Sequence, residues 1–486
     1  MIKNKFLNNK NENILITTFL GLFVLLTQFY SIDNEVINWD ESDFILMGSS
    51  FYKGNLPYLE LWDLKPPIHF MYIGTYFKLF GPSLLTARLS GDILVFATSL
   101  LLYKISLKKF NKFESITIAI IYISLVSFEF AQPTMTEYLS TFFLLISMIF
   151  FEEKNHRNLL YTGFFISLAV FTRTNTAFVW LFYLVYILIN KFKTKNIIWF
   201  LAGSSVPFLV LTFLYILEGK FKEFFYSVFL IPLQNTLVRD NFFDILEQSY
   251  EGIFLENLIS IPLFFLLFII FFLISIFLKR EFRKKIADNF YLIKLYFFVF
   301  VFVCLSILVG GRFYYHYLIQ LFPFFSIFIV FSISKLFNFK KTIFVVIYFF
   351  LFINSFPLVN KSVSNLQNFD SLKENYVILK TSKLIDPSKT VLALDSHLIY
   401  FYLDTKPLTP VVHPNVIFKT TDYKLILSSL EEIGYLEKNS SQKLLESFPY
   451  YIVCKDLCFD YVDKAFFDSY RMISNLENVK LYEYKK

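Results

Sequence analysis

Residues 14–30 read ILITTFLGLFVLLTQFY, an apolar run interrupted only by threonines, a glycine and a glutamine. Its length approaches the roughly 20 residues a helix needs to cross bilayer hydrocarbon. Lys3, Lys5 and Lys10 precede it, and no small-residue cleavage site follows, so it reads as a retained span rather than a cleaved leader. Comparable runs recur at 197–217, 258–278, 292–309, 318–334 and 343–356. They are continuous and do not alternate in polarity, which argues against a β-barrel. Composition agrees, since 56% hydrophobic residues with 66 Phe in 486, and a mean hydropathy of +0.54, exceed what a soluble core can hide.

The net charge of +7 is spread in a way that does not suggest nucleic acid. Basic residues gather in short gaps between apolar runs: Lys104/Lys108/Lys109/Lys112, Lys154/Arg157, Lys191/Lys193/Lys195, Lys279 to Lys285, and Lys335/Lys340/Lys341. Placing these loops in the cytoplasm satisfies the positive-inside rule. The expectation is an all-α polytopic membrane domain over 1–357 with about eleven spans, near 13–32, 86–103, 115–131, 138–151, 159–171, 175–190, 197–217, 257–278, 290–308, 317–334 and 342–357. The N-terminus is then cytoplasmic and the C-terminus outside. Polar composition returns after 357, and residues 358–486 read as a soluble extracytoplasmic α/β domain. Its strands are expected at 376–379, 391–394, 450–453 and 479–482, and its helices near 397–403, 423–434 and 463–474. A bridge between Cys454 and Cys458 is chemically permitted outside, whereas Cys304 sits in a span as a small hydrophobe.

The outer loops carry polar residues that a membrane protein retains at a cost. The first, 33–85, contains WDESDF at 39–44 and YLELWDLKPP at 58–67. Its stretches 43–52 and 68–80 are amphipathic and are expected to lie as helices in the interface plane. Asp40 and Glu41 have two readings, helix-start carboxylates that complement the dipole or catalytic bases. Lys65 is aimed by the rigid Pro66-Pro67 corner and reads either as an interface snorkel or as an anion binder. Gln132–Tyr138 puts Glu137 at the mouth of a span, as an end charge or a site residue. In GGRFYYHY, 310–317, an aromatic belt with a snorkelling arginine accounts for the tyrosines but less well for Arg312 together with His316, whose other reading is a phosphate clamp with Lys65.

Some chemistry is excluded. There is no G-x-x-x-x-G-K-[ST] run and no cytoplasmic loop long enough for a nucleotide-binding domain. No Cys/His cluster has zinc spacing. Asp40, Glu41 and Asp43 offer oxygens for a divalent ion, but adjacent residues point in different directions, so neither metal nor other cofactor is expected. A transferase working outside lacks nucleotide-activated substrates, and a lipid-linked phosphate donor fits the cations.

These residues carry a family resemblance. The acidic Asp40-Glu41 pair after the first span, Gly54-Asn55-Leu56-Pro57-Tyr58, Trp62-Asp63-Leu64-Lys65-Pro66-Pro67, Arg88 entering the second span, and Arg312 with His316-Tyr317 before Pro323 resemble bacterial GT-C glycosyltransferases. The group is family 39 and its relatives, which include protein O-mannosyltransferases and the aminoarabinose transferase of lipid A. The resemblance implies an inverting hexosyl- or pentosyltransferase of the cell (inner) membrane that uses a polyprenyl-phosphate sugar donor. It implies Asp40 as general base beside Glu41, Lys65 on the donor phosphate, and Arg88, Glu137, Arg312, His316 and Tyr317 lining the substrate site. The acceptor, whether lipid, glycan or protein, is open. A transporter or lipid flippase, and a polysaccharide polymerase or ligase, are the alternatives.

Overall fold

The computed structural model describes residues 10–37, 39–127, 133–153, 155–190, 192–237, 284, 288–310, 314–336, 342–418, 424–455 and 458–485. The chain opens on helix α1 (Lys10–Gln28) and a 3-10 turn, Phe29–Asp33. Helices α2 (Trp39–Tyr52) and α3 (Pro67–Phe80) follow, then α4 (Leu84–Ser106), α5 (Lys112–Leu125), α6 (Thr136–Glu153), α7 (His156–Val170), α8 (Ala177–Ile189) and α9 (Thr194–Leu217). Further apolar helices cover Lys294–Gly310, Phe322–Phe331 and Thr342–Gln367. Among the described residues, Asn11–Asp33, Leu84–Ser106 and Thr194–Leu217 combine the length and hydropathy of a membrane span. The apolar helices Thr174–Ile189, Lys294–Gly310 and Phe322–Ser334 are shorter. The chain is a multi-pass membrane protein with a small sheet. The expected span at 257–278 lies outside the described residues.

Contacts divide the chain into two units: Met1–Ser31 with Gly91–Pro207 and Asp240–Gln367, and Ile32–Ser90 with Phe208–Arg239 and Asn368–Lys486. The division differs from the boundary expected at 357/358, which falls inside the helix Thr342–Gln367 because that helix continues through Pro357. Polar residues such as Asn360 and Lys361 end the apolar run without ending the helix. In the first unit α6 packs on α7, α1 on α5 and on Thr342–Gln367, and α5 on Phe322–Phe331. The buried Gln28 side chain there is bonded, as burial favours: Nε2 donates to Val126 O at 3.2 Å and to Ser127 Oγ at 3.0 Å.

In the second unit α2 packs against α3 and against the helix Leu398–Leu403. The segment that was expected to lie on the interface is therefore enclosed, and Glu41 through Ser50 are all buried. Gly48 and Gly74 permit the approach of α2 to α3, since a Cβ on Gly74 would lie 2.6 Å from the Gly48 carbonyl oxygen. The sheet has strand order β1-β2-β4-β3, from β1 (Val391–Ala393), β2 (Tyr451–Cys454), β3 (Tyr470–Leu476) and β4 (Val479–Tyr484). β1 and β2 are parallel, and the remaining pairs are antiparallel. β3 occupies part of the region expected as a helix over 463–474, where only Lys464–Ser469 is a 3-10 turn. Glu477 and Asn478, both at positive φ, turn β3 into β4, as a two-residue hairpin requires. The strand expected at 376–379 is instead the helix Val377–Ser382. Cys454 and Cys458 are bridged, and Cys304 is free.

Candidate active site

Asp40 and Glu41 stand in the first turn of α2, and neighbouring helix positions project about 100° apart. They have separate surroundings. Asp40 Oδ2 lies 3.9 Å from Lys65 Nζ, with side chains 24% and 25% exposed. Glu41 and Arg88 are only 1% and 2% exposed, and the guanidinium grips the carboxylate with two bonds, Nε to Oε1 at 2.9 Å and Nη2 to Oε2 at 2.8 Å. Arg88 Nη1 also donates to the Asn34 carbonyl at 2.6 Å. This bidentate pair fixes the first turn of α2 against α4. It leaves Asp40 as the acid of the pair that can meet a ligand.

Lys65 is held by its backbone. Its N–H donates to Asp63 Oδ1 at 2.7 Å, its carbonyl accepts from Tyr58 Oη at 2.6 Å, and Pro67 begins α3. The Nζ lies 5.9 Å from the Phe44 ring centre. Burial pushes the Asp63 carboxyl up to about 7, against the lowering effect of Lys65, while the charges of Asp43 and Asp40 add to the rise. The loop is tied further on: Trp62 N donates to Pro410 O at 2.9 Å, and Trp62 Nε1 to Ser227 Oγ at 2.8 Å.

Two histidines not singled out in the sequence complete this cluster. His397, fully buried, places Nδ1 2.8 Å from Asp43 Oδ1, one helical turn beyond Asp40. Burial opposes its charged form, but the Asp43 carboxylate, with Asp395 and the backbone of Leu394, raises its pKa above the ordinary histidine value. His413 meets the Trp39 ring edge-on at 5.7 Å. Burial lowers its pKa despite Asp43 and Asp40. The signal for both was weak: they are two of only five histidines, but more than 340 residues separate them from α2.

Glu137, His316 and Tyr317 are brought together in the other unit. Glu137, fully buried, has Oε1 2.5 Å from Arg173 Nη1 and 3.6 Å from His316 Nε2. The Arg173 guanidinium sits 4.3 Å over the Tyr317 ring and donates to Thr136 Oγ1 at 3.0 Å. Arg173 was not foreseen; its place in Thr172-Arg173-Thr174-Asn175, between two apolar runs, was the available signal. Asn175 and Gln320 bond at 2.7 Å beside it. Arg312 lies outside the described residues. Among the described residues no group of three His, Cys, Asp or Glu side chains is arranged to hold a metal ion.

The architecture has known counterparts. It resembles the fold of ArnT. The crystal structure of ArnT from Cupriavidus metallidurans bound to undecaprenyl phosphate superposes with a TM-score of 0.62 at 12% identity, covering 96% of this chain and 97% of that one. The apo structure of the same protein gives 0.55 at the same identity and coverage. Residues 64–216 match a family model described as dolichyl-phosphate-mannose-protein mannosyltransferase. No curated protein sequence matches the chain. The matches to ArnT and to the mannosyltransferase model agree with the GT-C, family 39-like resemblance carried by the motifs.

Proposed function

We propose that the chain is an integral membrane glycosyltransferase that moves a sugar from a polyprenyl-phosphate-linked donor to an acceptor hydroxyl on the extracytoplasmic face. The observation that carries this reading is the partly exposed Asp40–Lys65 pair at 3.9 Å, set in the first loop of an ArnT-like fold. The matching mannosyltransferase model and the undecaprenyl phosphate bound to the ArnT neighbour support a lipid-phosphate donor.

In this mechanism the Asp40 carboxylate accepts the acceptor hydroxyl proton as its oxygen attacks the anomeric carbon of the donor. The bond from that carbon to the phosphate oxygen breaks, and polyprenyl phosphate leaves with the electron pair. Lys65 stabilises the charge developing on the leaving phosphate. A single displacement of this kind inverts the sugar. Glu41 and Arg88 position α2, and the His397–Asp43 contact braces the same helix one turn on.

The test is transfer of radiolabelled sugar from a synthetic polyprenyl-phosphate donor by the full-length chain in proteoliposomes, set beside Asp40→Asn. Turnover by the native chain and its loss in the variant support the reading. Flux of labelled lipid across the vesicle wall without a transferred product overturns it.

A further inference from the structure

A cavity of about 730 Å³ opens where the parallel strands β1 and β2 end. Asp395 follows β1 and Lys455 follows β2, and the two are joined because the Lys455 N–H donates to Asp395 Oδ1 at 2.6 Å. Crevices outside the carboxyl ends of parallel strands are where α/β sheets take ligands, and the volume suits a small-molecule site. Its opposite wall is the stretch leading into α2, including Asp33, Glu35 and Trp39. Trp39, which lines the cavity, immediately precedes the proposed base, Asp40, on α2.

The wall is built rather than incidental. Glu35 accepts from the N–H groups of Ile378 and Leu379 at 2.7 and 2.8 Å, and Arg88 bonds the carbonyl of Asn34. Four carboxyl residues, Asp33, Glu35, Asp395 and Glu477, face the space against one ammonium, Lys455. Such a lining repels phosphate and carboxylate groups and accepts hydrogen bonds from hydroxyls. Trp39 adds an apolar ring with a polar edge, suited to a ligand that is apolar on one face and hydroxylated at its rim.

We propose that this cavity is the acceptor subsite and takes an uncharged, hydroxyl-rich glycan portion of the acceptor, not a phosphorylated one. The word acceptor rests on the transferase reading; the selectivity for neutral glycan rests on the cavity alone.

The experiment is ligand-observed saturation-transfer NMR on the full-length chain in nanodiscs, with maltotriose and N,N′-diacetylchitobiose as neutral probes and glucose 6-phosphate as the anionic one. At least one neutral probe gives signal and the sugar phosphate gives none. Trp39→Ala weakens the neutral probe about tenfold. Glu477→Gln, in an exposed hairpin turn that tolerates the change, weakens it measurably with the fold intact. Signal from no neutral probe, equal binding of glucose 6-phosphate, or neutral binding unchanged in both variants overturns the proposal. Neutral binding that persists in a chain unable to transfer sugar in the proteoliposome assay overturns the transferase reading and leaves a glycan site.

Discussion

At the scale of single residues, one peptide bond separates two carboxylates with opposite fates. Glu41 is sealed against Arg88, so Glu41→Gln leaves a buried guanidinium without its counter-charge, a change that costs about 3–5 kcal/mol when such a pair is broken. Its expected signature is a lowered melting temperature. Asp40 is a quarter exposed, so Asp40→Asn keeps the melting temperature and slows transfer at least about 100-fold. A stable, inactive Glu41→Gln protein with an active Asp40→Asn protein would exchange the two roles. Lys65→Ala raises the donor concentration for half-maximal rate by about tenfold or more without altering that of the acceptor. Lys65→Arg does not restore it, because a planar fork and a point charge present donors differently. Titration gives a further prediction. Asp63 and His397 both hold protons more tightly folded than unfolded, so each stabilises the fold at low pH and loses that contribution as pH rises. For Asp63, facing Lys65, Asp43 and Asp40, the window runs from its unfolded value of about 4 to about 7. For His397, facing Asp43 and Asp395, it begins near 6.5 and extends upward. Melting curves of Asp63→Asn should flatten in the lower window and those of His397→Gln in the upper one. Parallel curves for native and variant chains would remove these groups from the pH response.

At the scale of elements, the crossing of α2 and α3 sets the site, because α2 carries Asp40 and α3 starts two residues after Lys65. The crossing is closed by backbone at Gly48 and Gly74. A methyl group on Gly74 meets a carbonyl oxygen that cannot rotate away, so Gly74→Ala should separate the helices and destabilise the protein by about 1–3 kcal/mol. Transfer should fall with it, since a small misplacement of catalytic groups is costly. A Gly74→Ala protein with native melting and native rate would show that the crossing has slack. The helix Val377–Ser382 shows how a tertiary partner overrides local preference. Its sequence, VILKTS, suits a strand, but Glu35 satisfies two N–H groups at its start, the role of an N-terminal cap supplied from a distant part of the chain. β3 escaped notice for another reason: most of it is exposed, so it lacks the apolar alternation by which strands are recognised.

At the scale of the whole molecule, we propose an orientation from the basic loops: holding the Lys/Arg-rich loops in the cytoplasm puts the segment after Gln367 outside it. Alkaline phosphatase fused at the C-terminus should be active and a fluorescent cytoplasmic reporter dark; the reverse would move the proposed chemistry to the other face. The bridge between Cys454 and Cys458 accords with an oxidising compartment.

Sequence by itself determined the membrane class and the positions of most apolar helices, and it supplies the ground on which the first loop is proposed as the place of chemistry. Those properties are local: hydropathy, charge in short gaps, and the rigid Lys65-Pro66-Pro67 corner are written in consecutive residues. Tertiary structure alone decided which carboxylate stays partly exposed and which is sealed. Asp40 and Glu41 are indistinguishable as letters, and only the location of Arg88, 47 residues along the chain from Glu41, separates them. It also decided that His397 and His413 lie against α2 and that Arg173 pairs with Glu137. Such contacts join residues far apart in the chain, and burial, which determines whether a charge is structural or reactive, is not a property of any segment taken alone.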